Sequence, residues 1–450
     1  VLQKRLCTSA GIKDSHSGNN IVSYGYVEMN GGKIIGGKST TAVTETTESY
    51  GRGAALYLRA VPADSIEIPS FVMTGGEISG GTALYGGGNV FVGAGVPATI
   101  SGGLISGGTV LGGTLGGEIG SFGGNIWNVS ENLKINGTAE IADGSAIMGG
   151  NLYVSQGTAL EITGSPAFTG GNASKNGGNL LVAANATVTI SGTPVFDGGK
   201  AGNLGGNIYS EANLTINGGT FMNGEATTNG GNLRTGGGVT EINDGIFKDG
   251  LAKGDFQAFN AFFVGTKVTI NGGQFLQEQK ENINVWIHNG CDATSAVNGG
   301  YFEALVHGSE KHSANLASVI HGGYFENAPE AFTIADGLAA VALSPAVTNE
   351  GHTYYYEVKA VVMALLSSRT TVLANNSIAA LAGGGYVAPN TAFTISASEV
   401  PGYTFVGWWK NAYEGDAVSN SAEYLVEEGI STETNFIAVY TLDTNSFMSQ

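Results

Sequence analysis

The segment INGGTFMNG, residues 216–224, places an isoleucine, a polar residue and two glycines ahead of a phenylalanine. Variants of this arrangement recur along the chain: ISGGLISGG (100–108), INGGQFLQE (270–278), VNGGYFEAL (297–305) and IHGGYFENA (320–328). A short sequence motif that recurs along the chain is typical of solenoids, in which each repeat packs on its neighbours. The segment therefore predicts a stacked repeat protein.

Three landmarks recur in a fixed order. Gly-Gly-Asn precedes an apolar residue, with asparagines at Asn89, Asn125, Asn151, Asn179, Asn207 and Asn232. An Ile or Val then precedes a polar residue and Gly, at Ile100, Ile135, Ile162, Ile190, Ile216, Ile242, Ile270, Val297 and Ile320. An aromatic residue follows, at Phe168, Phe196, Phe221, Phe247, Phe275, Phe302 and Phe325.

The spacing of these landmarks predicts three short strands per repeat. From Ile135 to Val297, successive members of the isoleucine series lie 26 to 28 residues apart. Each repeat contains three short apolar segments bounded by Gly or Asn, which read as strands. The fold expected is an all-β parallel β-helix of about ten coils. A right-handed solenoid is the expected hand for parallel crossovers.

The repeat assigns a structural role to each landmark. The Ile and the Phe point inward and stack on their counterparts one coil away, and Gly turns the corners because it tolerates positive φ. The Asn amides hydrogen-bond from coil to coil as a ladder. The predicted structural residues are Asn89, Asn125, Asn151, Asn179, Asn207, Asn232, Ile190, Ile216, Ile270, Phe196, Phe221 and Phe275.

Composition and charge narrow the class of protein. The chain has 450 residues with 74 Gly but no strict triplet period, which excludes collagen, and 42% hydrophobic residues argue against disorder. A net charge of −18 argues against nucleic acid and against anionic lipid as partners. No apolar run reaches the length of a membrane-spanning helix, so no membrane insertion is expected.

The two cysteines, Cys7 and Cys291, are not expected to pair. About ten coils separate them, which at ~4.8 Å per layer is on the order of 50 Å. That separation is far beyond the reach of a disulfide.

The repeat region resembles a known family. GGNL at 177–180 and 230–233, FMNG at 221–224 and FENA at 325–328 look like the repeats of polymorphic outer-membrane proteins and related bacterial surface β-helices. The resemblance covers residues 30–330 and implies a surface-exposed β-helix. Residues 1–29 lack the repeat. They are expected to cap the solenoid or, alternatively, to pair as a donor segment with a neighbouring subunit.

The composition changes near the end of the chain. Residues 331–362 are expected to form closing strands, and residues 363–450 a small β-module. GYTFVGWW (402–409) followed by TNFIAVY (434–440) resembles the Listeria–Bacteroides and internalin B-type repeat domains. The resemblance implies a spacer or adhesive module outside the cell. Trp408 or Trp409 is expected to pack its core, and an exposed sugar-stacking ring is the alternative.

No catalytic, cofactor or metal site is predicted. The Asp clusters of polygalacturonase-like enzymes do not occur in the repeats. Pectate-lyase-like sites need acidic Ca²⁺ ligands and an Arg base, and the few arginines of the repeats, Arg52, Arg59 and Arg234, are not near an acidic cluster. His288, Cys291, His307, His312 and His321 lie close in sequence, but their spacing matches no zinc signature. They are expected to be turn and surface residues. The YYY segment at 354–356 is expected to pack on the last coil, with a sugar platform as the alternative.

These observations predict a secreted or cell-surface bacterial protein without enzymatic activity. Its expected role is structural or adhesive, as a rigid β-helical rod that presents binding surface. One alternative is a subunit of a self-assembling extracellular filament, and another is a polysaccharide lyase or glycoside hydrolase with a degenerate site. The expected partners are the chain itself or a host or matrix glycan or protein. Several roles stay open because the fold alone does not determine the function.

Overall fold

A computed structural model describes residues 20–40, 51–59, 69–115, 118–254, 258–278, 283–306, 316–373 and 378–443. The chain divides into two compact units, residues 1–333 with 343–356, and residues 334–342 with 357–450. The first unit is a parallel β-helix, so the predicted fold class is confirmed.

Three sheets build the β-helix. Within the described residues, sheet A contains Ile21–Ser23, Leu56–Leu58, Val90–Val92, Ile126–Asn128, Leu152–Val154, Leu180–Val182, Ile208–Ser210, Leu233–Thr235, Ala258–Phe263, Ile283–Ile287 and Leu305–Val306. Sheet C contains Lys38–Ser39, Thr82–Ala83, Thr109–Val110, Ser145–Met148, Asn172–Asn176, Lys200–Ala201, Glu225–Ala226 and Leu251–Ala252.

Sheet B carries two strand segments per coil, which merge into one long strand in several coils. Its strands are Tyr26–Ile35, Ser70–Ser79, Ala98–Ile100, Leu104–Ser106, Leu133–Ile135, Glu140–Ala142, Ala159–Ile162, Ala167–Thr169, Thr187–Ile190, Val195–Asp197, Asn213–Met222, Val239–Lys248, Lys267–Ile270, Gln274–Leu276, Ala296–Val297, Tyr301–Phe302, Tyr324–Phe325, Leu338–Asn349 and His352–Ala360.

The solenoid begins earlier than the sequence indicates. Ile21–Ser23 pairs in parallel with Leu56–Leu58, and Tyr26–Ile35 pairs with Ser70–Ser79. Residues 20–29, expected to belong to a cap or donor segment, therefore form part of the first described coil. Residues 1–19 of that segment lie outside the described residues.

Two apolar columns fill the interior along sheet B. The first runs in register through Met29, Met73, Ile100, Ile135, Ile162, Ile190, Ile216, Ile242, Ile270, Val297 and Ile320. The second begins with isoleucines and continues as a stack of phenylalanines: Ile34, Ile78, Ile105, Ile141, Phe168, Phe196, Phe221, Phe247, Phe275, Phe302 and Phe325.

The phenylalanine rings lie nearly parallel. Neighbouring ring centroids are 4.5–5.2 Å apart and their planes differ by 3–12°. Such aromatic pairs contribute about 0.5–1.5 kcal/mol each beyond the burial of their area. The stack therefore reinforces the same coil-to-coil register that the backbone ladder sets.

A row of buried asparagines runs along the corner before sheet A. Each side-chain amide donates to the next amide oxygen at 2.5–2.8 Å, through Asn89, Asn125, Asn151, Asn179, Asn207, Asn232, Asn260 and Asn284. All eight side chains are fully buried. Asn260 and Asn284 extend the row beyond the six asparagines that the Gly-Gly-Asn motif marks.

Each amide inside this row has all its hydrogen-bonding groups occupied. The Asn179 oxygen accepts from Asn151 Nδ2 at 2.8 Å and from the backbone N–H of Gly171 at 2.9 Å. Its Nδ2 donates to Asn207 Oδ1 at 2.7 Å and to the carbonyl of Asp197 at 3.1 Å. Because a buried polar group is costly when unpaired, the fully bonded amide stabilises the coil.

Glycine is needed beside the row of buried asparagines for space as well as for backbone conformation. The backbone N–H of Gly199 donates to Asn207 Oδ1, and a Cβ at Gly199 would lie 2.4 Å from the carbonyl oxygen of Gly206. Gly198 instead has a φ of +62° with nothing within 4 Å of its Cβ position. Asn223 occupies the equivalent corner one coil later with a φ of 53°, which asparagine tolerates.

One coil accommodates an insertion. Asn89 and Asn125 are 36 residues apart, against 24 to 28 for the other steps of the row, yet their amides still bond at 2.7 Å. The extra residues include an antiparallel pair, Gly113–Leu115 with Glu118–Gly120. The segment 104–120, for which the sequence suggests extra strands or an inserted loop, thus ends in a short hairpin.

The closing segment and the second unit follow the repeats. A 3-10 turn at Ala331–Thr333 precedes the strands Leu338–Asn349 and His352–Ala360. The second unit has a mixed sheet of Gly385–Val387, Val362–Thr370, Thr434–Leu442 and Tyr403–Lys410, and a smaller sheet of Leu381–Ala382, Phe393–Ala397 and Glu423–Val426. In the residues that the structure describes, no helix is long and apolar enough to span a membrane.

We expect the substitution Asn179→Ala to lower the free energy of unfolding by about 3–5 kcal/mol, because it removes four hydrogen bonds from the interior and leaves the backbone N–H of Gly171 without its acceptor. The shift in the urea midpoint measures this loss. The control is Asn217→Ala on the exposed surface, where water replaces the lost bonds and the expected change is within about 0.5 kcal/mol. Equal shifts for the two variants would contradict the role given to the buried row.

We expect Gly199→Ala to destabilise the β-helix by at least about 2 kcal/mol, because the added methyl group overlaps a backbone carbonyl that has little freedom to move. The adjacent Gly198→Asn is the control, with an expected loss of less than about 1 kcal/mol. Thermal unfolding monitored by circular dichroism compares the two. A larger loss for the Gly198 variant would show that conformation, and not space, limits this corner.

Candidate functional site

The outward side of sheet A carries an aromatic column. One residue of each strand from Ile21–Ser23 to Ile283–Ile287 points away from the interior, and these residues lie in register from coil to coil. In chain order they are Val22, Tyr57, Phe91, Trp127, Tyr153, Leu181, Tyr209, Arg234, Phe262 and Trp286. We call this set the outer column.

The N-terminal half of the outer column is a closed cluster. Tyr57 and Phe91 stack with centroids 4.8 Å apart, and Trp127 meets Phe91 edge-on at 5.0 Å. The Arg52 guanidinium lies 5.4 Å from the centre of the Trp127 ring. Trp127 Nε1 also donates to Ser155 Oγ at 2.8 Å. These rings are at most 8% exposed, so they form a second small core and not an open stacking platform.

The C-terminal half places an arginine between aromatic rings. The Arg234 guanidinium carbon lies 5.2 Å from the centre of the Tyr209 ring and 5.9 Å from that of Phe262. Phe262 in turn contacts Trp286 edge-on at 5.5 Å. Burial lowers the pKa of Arg234, and cation–π contact with two rings offsets part of that cost.

A polar ridge runs along a corner of sheet B. Asn243 Nδ2 donates to Asn217 Oδ1, Asn271 to Asn243 and Asn298 to Asn271, at 2.8–2.9 Å. Asn217, Asn271 and Asn298 are solvent-exposed and Asn243 is half-buried, whereas the asparagines of the buried row are fully covered. They come from the INGG, INDG and VNGG segments, so one motif supplies both an inward isoleucine and an outward amide. The ridge offers donors and acceptors at the spacing of the coils.

The predicted structural residues all lie in the interior. The asparagines Asn89, Asn125, Asn151, Asn179, Asn207 and Asn232, the isoleucines Ile190, Ile216 and Ile270, and the phenylalanines Phe196, Phe221 and Phe275 are fully buried. They hold the coils together and touch no open surface. A surface site must therefore be sought in the outer column or on the ridge.

The histidine and cysteine residues that the structure describes do not form a recognisable metal site. In the described parts of the chain, no group of three or more His, Cys, Asp or Glu is placed to hold a metal ion. His288 Nδ1 accepts from the backbone N–H of Gly290 at 2.9 Å, and Cys291 is a free, buried thiol. His307, His312 and Cys7 lie outside the described residues.

Both tryptophans of the second unit are buried. Trp408 is fully covered in the core between the two sheets, and its Nε1 donates to the carbonyl of Ala422. Trp409 is 7% exposed, and it contacts Tyr413 edge-on at 4.7 Å. The Arg369 guanidinium covers the other ring of this pair, Tyr413, at 4.5 Å. Neither tryptophan presents an open face to a sugar.

The YYY segment divides between interior and surface. Tyr354 is fully buried and lies 5.2 Å from Tyr301, whereas Tyr355 is 51% exposed. Burial, and then the nearby carboxylates of Glu303 and Glu326, raise the pKa of Tyr354. Its hydroxyl has no hydrogen-bond partner among the residues that the structure describes. The segment thus packs one ring on the last coils.

The outer column was not predicted from the sequence, although the sequence contains the pattern that marks it. GGNVFV, GGNIWN, GGNLYV and GGNIYS each set a large residue between two residues that point inward. Arg234 takes the same place in GGNLRT (230–235). Among the described coils, Arg234 is the one charged residue at a position that is otherwise aromatic or aliphatic.

We expect Cys291 to resist alkylation in the folded protein, because burial raises its pKa to about 11. The folded state holds the thiol proton more tightly, so this contribution to stability is present at neutral pH and is lost as pH rises through that value. In a Cys7→Ser background at pH 8, iodoacetamide should modify the native protein about 100-fold more slowly than the urea-unfolded protein. Equal rates in the two states would contradict the burial.

No protein-family model matches the chain, and no curated protein or solved structure matches it either.

Proposed function

We propose that this protein is an extracellular, non-enzymatic structural or adhesive protein of a bacterial surface, in which the β-helix is a stiff rod that presents binding surface. The observation that carries the proposal is the unbroken row of eight buried asparagines. Each coil satisfies its buried polar groups through its neighbours, so no coil is stable in isolation. A rod of this kind resists local opening and keeps its surface groups at fixed spacing.

Rigidity of this kind suits a molecule that works outside the cell. Proteolysis requires a segment to open locally, and opening is rare where amide, phenylalanine and backbone ladders all connect the same coils. The polar ridge and the partly exposed members of the outer column, Tyr153 and Arg234, are the surface features that repeat or stand out along the rod. A glycan or an extended protein segment is the partner class that fits a long, regular face.

A self-assembling filament is the second candidate, and the N-terminal end of the β-helix favours it. In the described part of the chain, the first coil consists of Ile21–Ser23, Tyr26–Ile35 and Lys38–Ser39, and each of these strands pairs with the coil that follows. Tyr26 and Ile35 on this coil are 41% and 63% exposed. Strand edges with exposed apolar residues are sites where another chain can add.

Electron microscopy of the purified full chain tests both candidates. Eleven coils at ~4.8 Å per layer give a straight segment about 50 Å long, and we expect separate particles that contain it at all concentrations. Continuous fibres that grow with concentration would favour the filament. Flexible chains without a straight segment would overturn both candidates.

A further inference from the structure

Arg234 is a charged group without a protein acceptor. Within the described residues, it makes no hydrogen bond or ion pair, and its Nε is buried without a partner. Glu211 is the nearby carboxylate that could pair with it, but Glu211 instead accepts the hydroxyl proton of Tyr209 at 2.5 Å. The terminal N–H groups of the guanidinium therefore stay available in a chain of net charge −18.

The position of the guanidinium is fixed by its surroundings. Tyr209 and Phe262 lie on either side of it along the outer column. A Cβ at Gly236 would lie 2.0 Å from one terminal nitrogen of Arg234, so the group occupies the space that this glycine leaves. Residues 236–238 are three consecutive glycines, and no side chain from them stands beside the guanidinium. Arg234 is thus held in place and is only partly exposed.

His288 adds a second donor near this group. Its Nδ1 accepts from the backbone N–H of Gly290, so the neutral ring carries its proton on Nε2. Burial, and then the charge of Arg234, lower the pKa of His288 and keep the ring neutral. The other ionisable groups that act on Arg234 are Tyr209, Glu211 and Cys291, and Cys291 is a neutral thiol at physiological pH.

We propose that Arg234 binds the carboxylate of an acidic sugar, such as a uronic acid residue of a polysaccharide. This inference rests on the proposed adhesive function and specifies its ligand. A guanidinium presents paired N–H donors that match the two oxygens of a carboxylate, and such charge-assisted bonds are among the strongest available at a surface.

The site differs from a general anion trap. The chain repels anions at long range because of its excess of carboxylates, so binding depends on the short-range geometry of one arginine. A single carboxylate on a sugar monomer is expected to bind with a dissociation constant of about 1 mM, and an oligosaccharide that also contacts the neighbouring coils is expected to bind more tightly.

Ligand-observed NMR with the full chain tests the proposal, using glucuronate, glucose, acetate and a galacturonate trimer as probes. We expect glucuronate and the trimer to bind and glucose not to bind. Arg234→Gln should weaken glucuronate at least tenfold, and Arg234→Lys, which keeps the charge but loses the paired donors, about threefold to tenfold. The control Lys134→Gln removes the same charge from sheet B and should change nothing.

Three outcomes would overturn the proposal. These are unchanged glucuronate binding in Arg234→Gln, equal binding of glucose and glucuronate, and acetate binding as tightly as the trimer. Circular dichroism must show that each variant is folded. Gly236→Ala gives a second route, since it displaces the guanidinium without removing it and should also weaken binding. Straight particles that do not bind glucuronate would contradict this inference alone, whereas flexible chains in electron micrographs would contradict the proposed function.

Discussion

The buried asparagine row is the constraint on which the rest of the β-helix depends. A primary amide has two donor hydrogens and one oxygen that accepts twice, and each amide inside the row uses all of them. That arrangement holds only if every coil places its amide directly above the last one. The row therefore fixes the height and the register of the coils, and it excludes side chains at glycines such as Gly199, which pack against it.

The buried asparagine row also sets the register of the two apolar columns along sheet B. Parallel strands of two or three residues carry little information about pairing, and a slip by one residue would turn every inward side chain outward. The amide row makes such a slip costly, because it would leave unpaired polar groups in the interior. With the register held, the phenylalanine rings meet as near-parallel stacks and the isoleucines meet as a continuous column.

The sequence predicts the interior better than the surface. The repeats at Ile190, Ile216 and Phe221 indicate inward stacking correctly, because burial on every coil demands the same residue type. Asn260 and Asn284 could not be found from the Gly-Gly-Asn motif, because their ladder bonds need the amide and not the two glycines before it. The surroundings of Arg234 were not predicted either. A linear pattern does not show that the Tyr209 ring lies beside this side chain one coil away, or that Glu211 bonds to the Tyr209 hydroxyl.

The hairpin at 113–120 shows where this architecture tolerates added chain. It leaves the solenoid after the sheet C strand Thr109–Val110 and returns before the sheet A strand Ile126–Asn128. The side-chain hydrogen bond between Asn89 and Asn125, which spans this insertion, keeps its ordinary length. The corner between sheets C and A is thus a position on the side of the rod where extra residues can be inserted. A foreign loop or small domain placed there would be carried at a defined height along the axis, and the coils above and below would not have to adjust.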